Sequence, residues 1–145
     1  MLNEVKAITD ALGGRSVLGR SLRTEPDLRT AIRRGFPQPV VANLMAAAGL
    51  TLKELAATVD LSPRSLQRRQ REGFLASYES DRLYRLARII ALARHFIGNK
   101  DSAMRWLKHS NAALGGSTPF EMLDTESGAR SVENVLGRIA YGGIS

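Results

Sequence analysis

The sequence predicts an all-α protein. Three observations carry that prediction. No segment alternates cleanly in Val, Ile and Thr between hairpin turns, while apolar residues recur at helical spacing in one segment after another. Pro26, Pro37, Pro39, Pro63 and Pro119 each stand where a helix begins or a connection runs. The 145 residues are 43% hydrophobic and 24% charged, a globular composition with enough apolar material for a core. The absence of cysteine excludes disulfides, thiolate metal sites and thiol nucleophiles. No apolar run is long enough to cross a bilayer and residues 1–10 lack an apolar signal core, so a cytoplasmic protein without a membrane partner is expected.

In chain order, Val5, Ile8 and Leu12 form one helical face, and Leu28 and Ile32 form another after a cap near Pro26. Residues 1–37 mix Arg23, Arg29, Arg33 and Arg34 with Leu22, Leu28 and Ile32, which suits an oligomerisation arm and a packed cap on the core equally well. Helices are then predicted over 39–48, 52–59, 63–71, 80–97, 101–109, 119–123 and 126–140. The segment from Ser80 is the longest, and its Leu83, Leu86, Ala87, Ile90, Ala91, Ala93, Phe96 and Ile97 cover more than one stripe. It is expected to be the central buried helix.

The net charge of +7 is unevenly placed. Residues 1–97 hold 16 Lys and Arg against 9 Asp and Glu, whereas residues 98–145 hold Lys100, Arg105, Lys108, Arg130 and Arg138 against Asp101, Glu121, Asp124, Glu126 and Glu133. A basic part joined to a neutral one implies a polyanion-binding unit and a unit with a different task.

Within the basic part, Thr51 and Glu54 stand at capping-box spacing ahead of an inward face of Leu52, Leu55, Ala56 and Val59. Asp60, a residue tolerant of the left-handed conformation, ends that helix. Ser62 caps the next, Pro63 occupies its first position and Leu66 anchors it inward. The pattern resembles the bacterial helix-turn-helix, with a small residue at the crossing (Ala56), a turn residue four later (Asp60, where the family usually has Gly) and an aliphatic anchor (Leu66). Arg64, Ser65, Gln67, Arg68, Arg69, Gln70 and Arg71 give the second helix a groove-facing inventory. Arg64, Ser65, Gln67 and Arg68 are expected nearer the bases, and Arg69 and Arg71 nearer phosphates. The competing reading is a solvated basic face on a structural helix pair. Selective reading of double-stranded DNA by one such unit calls for a homodimer.

In the neutral part, Thr118-Pro119-Phe120-Glu121 is a second capping box, and Val132, Val135, Leu136 and Ile139 form an apolar stripe. Trp106-Leu107, Asn111-Ala112-Ala113-Leu114-Gly115-Gly116, Pro119, Leu123, Gly128, Val132 and the ending Leu136-Gly137-Arg138-Ile139-Ala140-Tyr141-Gly142 resemble, in order, the toxin-binding domain of the Xre/MbcA/ParS antitoxins. The resemblance covers about residues 98–145, with the helix-turn-helix upstream as in that family. It divides the chain into an N-terminal helical region (1–37), an Xre-like helix-turn-helix domain (38–97) and a small helical toxin-binding domain (98–145). It implies an antitoxin, not an enzyme, that covers the active site of a RES-domain, NAD-consuming toxin and represses its own operon at operator DNA. Toxin contacts are implied for Asn134, Arg138, Tyr141, Gly142, Gly143, Ile144 and Ser145. Taken without the resemblance, those last residues read more simply as a plain terminus on a core helix. The alternatives are a helix-turn-helix regulator whose C-terminal part binds a ligand or dimerises, and an inhibitor that never touches DNA.

Two motifs imitate other chemistry. Gly14 to Ser21 mimics a phosphate-binding loop, but Arg20 replaces the required Lys and no strand precedes it. His95 and His109 lack a paired ligand spacing and an accompanying carboxylate cluster, so no metal, cofactor or catalytic constellation is expected.

Overall fold

In the computed structural model, residues 2–140 are described, and every regular element among them is helical. The N-terminal region forms α1 (Glu4–Leu12), the short α2 (Gly14–Leu18) and α3 (Glu25–Arg34). Asn3 caps α1 by accepting from the Lys6 N–H, and Thr24 and Asp27 close a capping box on α3 around Pro26. Next come α4 (Val40–Ala48), α5 (Leu52–Thr58), α6 (Pro63–Glu72) and the 21-residue α7 (Ser77–Ile97). The C-terminal part consists of α8 (Lys100–Lys108), two 3₁₀ turns (Ala112–Leu114 and Phe120–Asp124) and α9 (Glu126–Ala140).

The organising element is α7. Leu83, Leu86, Ala87, Ile89, Ile90 and Ala93 are each fully buried along it. Helices α1, α3, α4, α8 and α9 pack directly against it. Ile8 and Leu12 of α1 belong to the same apolar cluster as Leu136 of α9, so one core joins the first and last helices among the described residues. The N-terminal region is accordingly packed into the core as a cap. Asn43 of α4 reinforces it by donating from Nδ2 to the Ala11 carbonyl at 2.9 Å.

Three elements depart from the sequence reading, each for a local reason. First, α7 begins at Ser77 and not Ser80, because the Glu79 carboxylate accepts the Ala76 N–H at 2.7 Å and caps the helix three residues earlier. Second, the box at Thr118 and Glu121 forms with hydrogen bonds of 2.9 and 3.1 Å, yet it opens a 3₁₀ turn. Thr125 already caps α9 by accepting the Gly128 N–H at 2.9 Å, which leaves no length for a further α-helix. Third, the run Gly14–Leu18, for which no helix was expected, forms the short α2, started and ended by the positive-φ residues Gly13 and Gly19.

Two glycines are steric requirements. Gly35 lies against the strand-like contact that joins residues 36–38 to 73–75, where Leu75 N–H donates to the Phe36 carbonyl at 2.9 Å. A Cβ at Gly35 would stand 2.0 Å from the Leu75 carbonyl oxygen, and one at Gly128 would stand 1.9 Å from that of Met122. No side chain fits at either position.

Candidate functional site

The first candidate surface is built by α5 and α6. Thr51 N–H donates to Glu54 at 2.9 Å and Glu54 N–H donates back to Thr51 Oγ1 at 3.1 Å, which starts α5 at Leu52. The same Thr51 hydrogen bonds hold the Glu54 carboxyl below its ordinary value. Leu55, Ala56 and Val59 are fully buried, as their spacing predicts. Asp60 adopts φ 55°, the left-handed turn the sequence assigns to it. The Arg82 guanidinium donates to the Asp60 carbonyl and lies 3.9 Å from its carboxylate, so the turn is tied to α7. Ser62 then caps α6 by accepting the Ser65 N–H at 3.3 Å, with Pro63 at the first position.

Leu66 is the one residue of α6 that is fully buried. Arg64, Gln67, Arg68 and Arg71 point away from it and are exposed, Gln70 is exposed although it is four positions after Leu66, and Ser65 is half-buried at the edge. Arg69 stands apart from this set. Three positions after Leu66, it shares the inward face, and its side chain is 17% exposed. Its Nε donates to Glu79 at 2.9 Å and its Nη1 to Glu72 at 2.5 Å. The expected phosphate contact at Arg69 therefore gives way to a tie between α6 and α7, since the guanidinium is already satisfied by two carboxylates. Glu79 is 0% exposed, and no sequence pattern marked it. Spacing from Leu66 was the available signal for Arg69, and nothing local could name its partner ten residues on.

The second candidate surface is α9. Gly128, Ala129, Val132, Val135 and Leu136 are buried against the scaffold, with Ile139 half-buried, so the stripe read from the sequence is the docking face. Asn134 and Arg138 are exposed on the other side. Tyr141, Gly142, Gly143, Ile144 and Ser145 lie outside the described residues.

Between α7 and α9 runs an ion-pair cluster that the sequence reading did not single out. Arg88 Nη2 lies 2.7 Å from Glu126 Oε1, and Arg88 Nε lies 2.8 Å from Glu133 Oε1. Arg85 Nε lies 3.2 Å from Glu126 Oε2, and Arg85 Nη1 donates to the Leu123 carbonyl at 3.0 Å. Burial pushes the Glu126 carboxyl up, but Arg88 and then Arg85 outweigh it and hold the group below its ordinary value. Among the described residues no group of three His, Asp or Glu could hold a metal ion. His95 sits edge-on to Phe96 at 5.0 Å, and His109 contacts the Arg105 carbonyl. Among the described residues no single helix is long and apolar enough to cross a membrane.

These features define a two-part protein, a helix-turn-helix unit and a small helical C-terminal domain built on one shared helix. Residues 27–88 match the Antitoxin Xre-like helix-turn-helix domain, and residues 91–142 match the Antitoxin Xre/MbcA/ParS C-terminal toxin-binding domain. The two matches meet inside α7. Antitoxin Xre of Photorhabdus laumondii is 34% identical over 122 residues, spanning 83% of this chain and 82% of that protein. Antitoxin Xre of Pseudomonas putida is 35% identical over 122 residues, spanning 83% and 76%. A chain in the crystal structure of the M. tuberculosis MbcT-MbcA toxin-antitoxin complex superimposes with a TM-score of 0.55 at 25% identity, over 74% of this chain and 96% of that one. The chain belongs to the Xre antitoxin family.

Proposed function

We propose that this chain is the antitoxin of a toxin-antitoxin pair, neutralising a RES-type, NAD-consuming toxin with α9 and the segment after it while binding its own operator through α6. The observation that carries the reading is the order of parts. A helix-turn-helix match and a toxin-binding match fall on successive halves of one core, and a related chain is found in a toxin-antitoxin complex.

On DNA, Arg64, Ser65, Gln67 and Arg68 sit on the first two turns of α6, the part that enters the major groove in helix-turn-helix proteins. Arg and Gln offer paired donors and acceptors to guanine and adenine edges, and Arg71 is placed for phosphate. Arg69 contributes by fixing the helix. Two protomers are needed to read a two-fold operator, so a homodimer is the DNA-bound form. On the toxin, Asn134 and Arg138 continue into Tyr141, Gly142, Gly143, Ile144 and Ser145, which carry the contacts that block the active site. The antitoxin itself supplies no catalytic group.

The test is co-expression with the neighbouring gene's product, comparing the full chain with one ending at Ile139 and scoring host growth and complex formation. Protection by the full chain and none by the shortened one is the expected result. A neighbour that is harmless on its own would remove the antitoxin reading and leave a DNA-binding regulator.

A further inference from the structure

We infer that Arg88, assisted by Arg85, is a positioning residue for the partner-binding side of α9. The inference rests on the antitoxin reading for its consequence, but its geometry stands alone. Glu126 and Glu133 are seven residues apart, two helical turns along one face of α9. A single guanidinium on α7 serves both, donating from Nη2 to Glu126 at 2.7 Å and lying 2.8 Å from Glu133 in an ion pair without hydrogen-bond alignment. Holding a helix at two points two turns apart fixes its rotation and its position along its own axis, which one contact cannot do. Glu126 also presents its second oxygen to Arg85, and Arg85 reaches on to the Leu123 carbonyl just before the helix. Arg88 is itself steadied over the Tyr84 ring at 5.6 Å. Both arginine side chains are 12% exposed, so their contacts are sheltered from bulk water.

Hydrophobic contact depends on area, so the apolar stripe of α9 specifies its rotation less sharply than aligned polar contacts do, and the close fit at Gly128 acts only on the first turn. The hydrogen bonds of Arg88 and Arg85 to Glu126 and the Leu123 carbonyl depend on angle and distance, and the ion pair to Glu133 on distance, so together they select one rotation among those that burial permits. Asn134 lies beside this cluster on a shared polar cleft of about 530 Å³ that Glu4, Arg88, Arg130 and Glu133 also line. The direction in which Asn134 and Arg138 are offered to a partner therefore follows from Arg88, which acts on them through Glu126 and Glu133. The recognition helix has its own anchor at Arg69 and Glu79, so the two ends of α7 hold their helices separately.

The absence of cysteine allows clean spin labelling of the full chain. Labels at Asp81→Cys on α7 and Ala140→Cys at the end of α9 report the spread of distances between the helices. In the Arg88→Met background, which keeps an unbranched apolar stem and removes both ion pairs, the distribution is expected to broaden about twofold while the helical circular dichroism is retained. Arg88→Lys, which keeps charge but cannot meet two carboxylates, should fall between. In label-free chains, Arg88→Met should weaken binding of the neighbouring gene's toxin about tenfold and change operator affinity by less than about twofold. An unchanged distance distribution overturns the inference whether or not a toxin binds. Equal losses toward toxin and operator also overturn it, since they would mark general loosening. A native chain with an ordered α9 that binds no toxin would instead remove the functional reading and leave the positioning of α9 intact.

Discussion

Helices α6 and α9 are both tied to α7, but they attach to the fold by opposite means. On α6 only Leu66 is fully buried, and the rest of its attachment is polar, through Arg69 to the buried Glu79. On α9 five residues are buried, and the polar ties through Arg85 and Arg88 come on top of an apolar seam. A helix that must offer most of its circumference to a nucleic acid has little surface left for hydrophobic docking. It therefore concentrates attachment in one apolar anchor and one sheltered ion pair. A helix that offers one edge to a protein can bury the other.

The largest expected effects come from removing each helix's steric anchor. Leu66→Ala should destabilise by about 2–5 kcal/mol, because little else holds the inner face of α6, and operator binding should be lost in gel-shift titrations. Gly128→Ala places a methyl group on the Met122 carbonyl and should cost about 3 kcal/mol by urea unfolding. On the same helix, Gly137 faces open space, so Gly137→Ala should be neutral or stabilise by about 0.5–1 kcal/mol. If the two glycine variants unfold alike, the account of α9 docking is wrong.

Glu79→Gln separates the two regions. It leaves the inward Arg69 without its charged partner and should destabilise by about 1–3 kcal/mol, with operator affinity falling and toxin affinity maintained. The smallest effect is a pH dependence at α9. The Glu126 carboxyl is held below its ordinary value of 4.5, so its contribution is present above that value and is lost as pH falls through the lower value of the folded state. Native Tm should therefore fall more steeply than that of Glu126→Gln on acidification below about pH 4.5. Parallel profiles would show that the Arg85 and Arg88 contacts add nothing to docking.

Local chemistry made much of this architecture readable. The capping residues Thr51 and Ser62, the left-handed Asp60 and the α9 stripe act within a turn or two of themselves, and the structure places them as their spacing requires. Pairings between distant helices were not readable. Arg85 and Arg88 meet Glu126 across separations of 41 and 38 residues, and no periodicity within α7 distinguishes them from solvated arginines. Arg69 was assigned to the DNA face because its helix is basic throughout, and its spacing from Leu66 allows an inward position that the distant Glu79 then selects. Which surface α1 meets was equally unreadable, because joining Ile8 and Leu12 to the core around α7 needs the whole fold.

The most direct test of the central claim is to titrate the neighbouring gene's toxin with the purified antitoxin and follow NAD consumption. The account predicts that the full chain stops consumption at the stoichiometry of the complex, while the chain ending at Ile139 leaves it running. Equal inhibition by both chains would contradict the role assigned to the last residues, and no inhibition by either would contradict the antitoxin assignment itself.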